Sequence, residues 1–128
     1  MFSVPTAYCW ECPENPFDLE ENWDIRNQVF VAQVMKGTYA PENPIETFSY
    51  ELRITAKLKG EVADNLMLYG DSSSRSLELS GEYIFFMDNK MMSLCTLVFP
   101  FSFSWAERND IREAEYVRKV IKLSGYQP

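Results

Sequence analysis

The sequence contains no histidine, and that removes the commonest general base, the commonest metal ligand and the usual pH switch together. Most hydrolytic mechanisms are excluded, and the chain reads as a binding protein with no catalytic residue, no metal site and no cofactor. It has no cluster of Lys or Arg either. Its 12 basic side chains are outnumbered by 19 acidic ones, for a net charge of -7. Nucleic acid, whose phosphates demand grouped cations, is therefore not an expected partner, and an anionic membrane surface is disfavoured for the same reason. Long apolar runs are missing: the longest, around Cys95 to Phe103, is broken by Thr96, Pro100 and Ser102, well short of the ~20 residues a bilayer needs. Membrane insertion is not expected. Met1 to Tyr8 has neither a basic segment nor an apolar core and does not read as a signal peptide. Cysteine is scarce and odd in number. Of Cys9, Cys12 and Cys95, at least one must lack an internal partner.

What is present is enough for one domain. The chain has 128 residues, 46% of them hydrophobic, with nine Phe, seven Tyr and three Trp, so a core can form without covalent help and should bury about two-thirds of the unfolded surface. Residues 1–24 form a cysteine segment and an acidic, turn-rich stretch, read as an ordered loop or short helix. A β-branched run from Gln28 to Met35 predicts a strand ending at Lys36-Gly37, and Thr38 to Glu46, with Pro41 and Pro44, predicts a loop. Phe48 to Leu58 alternates apolar with polar at every step, the period of a strand with one buried face. Leu66 to Tyr69 reads as a short strand and Gly70 to Ser76 as a serine-rich loop. Tyr83 to Met87 and Met91 to Val98 flank Asp88-Asn89-Lys90 as a hairpin, Asn89 being tolerant of positive φ. Ser104-Trp105-Ala106-Glu107 fits a capping box, and Ile111, Ala114, Val117 and Ile121 form one stripe of a helix over 104–124 that stops before Gly125. The expected fold is all-β with a C-terminal helix, the β-barrel over 25–100 being a five-stranded Greek-key barrel of the OB type.

Several of these pieces stand in an order that resembles the netrin-like and tissue-inhibitor-of-metalloproteinases (TIMP-like) family. Cys12-Pro13 is similar to the second cysteine of the family's opening Cys-x-Cys-x-Pro. Asn27 to Val34 is similar to its first strand, Tyr50 to Gly60 to its second strand with a Leu-Lys-Gly end, Gly81-Glu82-Tyr83-Ile84-Phe85 to its Gly-Glu-x-Tyr-Leu strand, and Cys95 to the cysteine after the last barrel strand. The resemblance spans roughly Cys9 to Pro100. It departs at Cys9-Trp10-Glu11-Cys12, one residue longer than the family's opening, and at Ser74, beside Ser73, where the family has a cysteine. It implies a Cys12–Cys95 disulfide, with Cys9–Cys95 as the alternative; such a bridge contributes about 4 to 5 kcal/mol in the chain-entropy model.

The resemblance also implies a secreted, periplasmic or cell-surface protein that engages a protein partner, a zinc metalloproteinase in the inhibitory case. The contact surface would comprise Cys9, Trp10, Glu11 and Cys12 with Ser73, Ser74 and the neighbouring loops 38–46 and 70–76. In the family the α-amino group of an N-terminal cysteine ligates the proteinase zinc. Eight residues precede Cys9 here, so that chemistry requires their removal, and Trp10 then puts a bulky ring where the family usually has a small side chain. The other reading is an adhesion or assembly module without inhibitory chemistry, or a carbohydrate-binding barrel face using Phe48 and Tyr50. Redox catalysis at Cys9 and Cys12 is disfavoured by Glu11 and Glu14, which raise a thiol pKa. A calcium loop at Asp18 to Asp24 lacks the alternating ligands and central glycine.

Overall fold

The computed structural model describes residues 18–74, 76–107 and 111–126. Helix α1 (Leu19–Ile25) opens on Asp18, whose carboxylate accepts the Glu21 N–H at 2.7 Å and so satisfies one of the free donors of the first turn. Strands β1 (Gln28–Tyr39), β2 (Phe48–Lys59), β3 (Asn65–Gly70), β4 (Glu82–Met87), β5 (Met91–Met92) and β6 (Val98–Pro100) follow. A 3-10 turn (Phe103–Glu107) leads into helix α2 (Ile111–Ser124).

The six strands form one mixed sheet in the order β5-β3-β2-β1-β4-β6. Every pairing is antiparallel except β3 with β5. A flat sheet would set β5 four strand spacings, about 19 Å, from β4. Only Asp88, Asn89 and Lys90 join the two, and the four Cα steps from Met87 to Met91 reach at most about 14 Å. The sheet must curl, and it does so as a half-barrel. Three register shifts between β1 and β2, at Val29/Phe30, Val31/Ala32 and Val34/Lys36, are the bulges that let long strands bend.

Curling creates two cores. The concave face holds Phe30, Val34, Tyr50, Leu52, Leu68, Tyr83, Phe85, Met87 and Met92. The convex face packs Val29, Val31, Ile84 and Phe86 against Leu19 of α1, Phe101, and Val117 and Val120 of α2. The first half of β1, around Val29 to Ala32, and β4 are thus buried on both sides, which is why they read as continuous apolar runs, whereas β2 keeps a wet face along most of its length and alternates. Gly60 ends β2 at φ +75, where an added Cβ would sit 2.2 Å from the Asn27 carbonyl oxygen. Glycine alone fits there.

Four local expectations change. β1 continues through Lys36-Gly37 to Tyr39, because Gly37, Thr38 and Tyr39 find partners in Tyr50, Ser49 and Phe48. The single strand expected over Met91–Val98 is two: β5 joins β3 while β6 joins β4, and the intervening turn is held by Thr96 N–H to the Ser93 carbonyl at 3.1 Å. Asn89 does not take positive φ; its side-chain oxygen accepts the Met91 N–H at 2.7 Å instead. Ser104 lies within the 3-10 turn, and α2 begins at Ile111. The other end of α2 is as expected: Gly125, at φ +68, donates its N–H to the Ile121 carbonyl at 2.8 Å, the left-handed closure glycine permits.

Candidate binding surface

Gly37 lacks a side chain, so the Tyr50 ring of the neighbouring strand lies against it, 3.3 Å from where a Cβ would stand, and Leu79 closes over the same spot at 3.8 Å. Tyr50, Phe48 and Tyr39 then stack along one face of the β1–β2 ribbon, with ring centroids 6.2 and 5.2 Å apart. The row runs from buried Tyr50 through partly buried Phe48 to Tyr39, which is 64% exposed. Leu79 and Ile45 are equally open, at 64% and 65%. These side chains mark the rim of the concave face.

The loops that carry them are fixed by their own hydrogen bonds. Asn43 Oδ1 accepts the N–H groups of Ile45 and Glu46 at 3.1 and 3.0 Å, the Asn43 carbonyl accepts the Thr47 hydroxyl, and Ala40 N–H reaches the Thr47 carbonyl at 2.7 Å. Loop 76–81 hangs from two tyrosines: Leu77 N–H donates to the Tyr50 hydroxyl and Glu78 N–H to the Tyr83 hydroxyl, both at 3.0 Å. Burial of Tyr50 raises its pKa above the ordinary tyrosine value, although the bond from Leu77 opposes the shift. Ser80, at φ +65, then turns the chain so that its N–H meets the Val34 carbonyl at 2.7 Å.

The predicted loops 38–46 and 70–76 do meet, through Ser72 N–H to the Pro44 carbonyl at 3.1 Å. Ser73 and Ser74 are inside this junction and spend their hydroxyls locally. Ser73 donates to the Asp71 carboxylate at 2.5 Å and accepts the Leu94 N–H at 3.2 Å; Ser74 donates to the Asp71 carbonyl at 2.8 Å. Gly70 lets that turn close, since a Cβ there would lie 2.4 Å from Ser74 Oγ. The bond from Leu94 also draws the turn bearing Cys95 against loop 70–74. Cys95 is half-buried and donates its N–H to Ser93 Oγ at 3.3 Å. Cys9, Trp10, Glu11 and Cys12 lie outside the described residues.

A second depression, of about 260 Å³, is lined by Arg26, Asp88, Asn89, Ser93, Cys95 and Thr96 among others. Arg26 and Asp88 are joined across it by a 2.8 Å ion pair, and Asp88 also accepts the Asn27 N–H at 3.1 Å. The charges there are spent on fixing α1 to the β4–β5 link. Among the described residues no group of three or more His, Cys, Asp or Glu side chains could hold a metal ion, and no helix is long and apolar enough to cross a membrane.

Sequence reasoning found loop 38–46 but not its apolar tip Ile45, and it did not find loop 76–81, which carries Leu79. Leu79 and Ile45 each stand alone in polar surroundings, Glu78-Leu79-Ser80 and Pro44-Ile45-Glu46, and an isolated large apolar residue within a turn-forming stretch was the available signal. Tyr50, a candidate for ligand stacking, is instead a core residue at 4% exposure. No family model and no curated protein matches this sequence.

Proposed function

We propose that this chain is a non-catalytic protein-binding module whose contact surface is the rim of the concave face. The observation that carries the reading is the exposure of Tyr39 at the end of β1, and of Ile45 and Leu79 on loops that internal hydrogen bonds already hold. Apolar side chains fixed before contact lose little conformational freedom on binding, and aromatic anchors of this kind dominate protein interfaces. An OB-type barrel is supported by the strand order, with β1 between β2 and β4, β3 parallel to β5, and a short link returning β4 to β5; β6 then continues β5 beyond a break.

Installing a photo-cross-linking benzoylphenylalanine at Leu79, with Glu61 at the opposite end of the sheet as control, tests this in extracts of the source cells. A discrete protein adduct at 79 and not at 61 supports the rim. Identical adducts at both sites, or none at 79, removes it.

The inhibitory form of the reading draws on the position of the Cys95 turn beside loop 70–74. A bridge from Cys95 to Cys12, or to Cys9, would set the amino-terminal cysteine segment next to the rim and would suit an oxidising, extracytoplasmic compartment. A chain trimmed to begin at Cys9 then inhibits one or more members of a zinc metalloproteinase panel, and acetylating its α-amino group abolishes the inhibition. Absence of inhibition by the trimmed chain leaves only the module without zinc-directed chemistry.

A further inference from the structure

Tyr39 ends the stacked aromatic row with one ring face to spare. Phe48 lies against it at 5.2 Å, and among the described residues no other ring and no cation covers it. The chain beyond Tyr39 folds back at once: Asn43 N–H reaches the Ala40 carbonyl at 3.0 Å, and Ala40 N–H reaches the Thr47 carbonyl at 2.7 Å. Glu42, three Cα steps from Tyr39, is therefore at most about 11 Å from it along the chain, and Glu46 is at most about 8 Å from Phe48, the cross-strand partner of Tyr39. One cation can meet both the ring and a carboxylate.

Each apolar element of the rim has an acid beside it in the chain: Glu42 in the turn after Tyr39, Glu46 next to Ile45, and Glu78 next to Leu79. Other acids of these segments are engaged, Glu51 with Lys36, Asp71 with Ser73 and Glu82 with Thr55. The carboxylates of Glu42, Glu46 and Glu78 make no ion pair and no hydrogen bond among the described residues. Neither Lys nor Arg occurs from 37 to 52, and Arg75, outside the described residues, is the only one from 70 to 89. The rim is thus apolar and negative together, and the open tyrosine face adds the negative side of its own quadrupole.

We infer that the partner taken by this rim is an arginine-bearing polypeptide segment. Its guanidinium lies on the open face of Tyr39 and pairs with Glu42 or Glu46, while apolar side chains next to that arginine cover Ile45 and Leu79. The inference rests on the rim being the contact surface and adds the chemistry of what it contacts. Arginine suits both halves of the site, since its planar group stacks on an aromatic ring and forks onto a carboxylate, whereas lysine offers a compact, strongly hydrated point charge. Charge excludes the other occupants. A second copy presenting the same rim would set carboxylate against carboxylate, and nucleic acid or an anionic lipid surface would bring phosphates to three unneutralised acids. Attraction across an exposed rim is screened, so binding weakens as salt rises.

Affinity selection of a random dodecapeptide library on the full chain tests this, with the selected peptides then titrated against variants at exposed or partly exposed positions. The enriched peptides carry arginine beside a large apolar residue. They lose about tenfold in affinity for the double variant Glu42→Gln, Glu46→Gln and about threefold for Tyr39→Leu. Replacing the peptide's arginine by citrulline, which keeps the shape and removes the charge, reproduces the loss seen with the double variant. Peptides without arginine that still depend on Leu79, losing binding to Leu79→Ser, would overturn the inference and leave the rim as the contact surface. Peptides indifferent to Leu79→Ser and to the glutamate changes would remove both. Arginine peptides that bind the double variant undiminished, or a selection that enriches nothing, would also overturn it.

Discussion

The hydroxyls of Tyr50 and Tyr83 accept the N–H groups of consecutive residues, Leu77 and Glu78. Tyr50 comes from β2 and Tyr83 from β4, and together they suspend the loop that presents Leu79. Tyr50→Phe leaves the Leu77 N–H buried without a partner and costs about 1 to 3 kcal/mol. Tyr83→Phe affects a less buried donor and costs about 0.5 to 1.5 kcal/mol. Chemical denaturation of the two variants checks the order. In alkali the same group has a second effect. Its folded pKa is raised, so the folded state holds its proton longer than the unfolded chain, and stability falls as pH rises above about 10. In an ultraviolet titration a tyrosine signal that ionises above the ordinary value disappears in Tyr50→Phe.

Gly60 and Gly125 both have positive φ, at +75 and +68, but only Gly60 is crowded: a Cβ there meets the Asn27 carbonyl oxygen at 2.2 Å, whereas nothing lies within 4 Å of one at Gly125. Gly125→Ala costs about 1 kcal/mol of left-handed backbone strain. Gly60→Ala adds a steric clash to the same strain and costs at least about 2 kcal/mol more. Melting temperatures of the two single variants separate the contact from the conformation.

Helix α2 seals the convex core through Val117 and Val120, both fully buried. Truncation after Pro100 removes these together with Phe101 and uncovers Val29, Val31, Ile84 and Phe86. Cooperative unfolding is lost, as scanning calorimetry will register by the absence of a transition; a truncated chain that still melts sharply would make the helix an accessory.

Asp64 is held below its ordinary pKa by the hydrogen bond and charge of Lys57. The folded chain therefore releases this proton more readily than the unfolded one. The stabilisation is present above the usual carboxylate pKa and is lost as pH falls through the depressed value. The pair is exposed, so the effect on melting is small. The sharper readout is the carboxyl carbon shift of Asp64, whose titration midpoint moves up to the ordinary value in Lys57→Met.

How much of this was legible depends on which forces act locally. The alternation of β2 could be read because most of it keeps one face in water, and the end of α2 because glycine adopts φ +68 without side-chain strain. The division of the last predicted strand could not, since Met91–Met92 and Val98–Pro100 take partners far apart in sequence, β3 and β4. Val120 lies outside the predicted helical stripe of Ile111, Ala114, Val117 and Ile121, because that stripe was drawn without knowing how broad a surface α2 covers. At the candidate surface, the positions of loops 38–46 and 70–76 followed from proline and serine content, but loop 76–81 did not, because the place where Leu79 and Tyr50 both close in is opened by the absent side chain of Gly37, far away in the sequence.

The three residues Asp88, Asn89 and Lys90 tie together strands that the sheet order sets far apart. Geometrically they are a chord across an arc, and a chord of fixed length limits how far the arc can open. The curvature of the concave face is thus set by covalent chain length as well as by packing. Lengthening the link would relax that limit at little entropic cost, allowing the rim loops to spread while each strand keeps its neighbours.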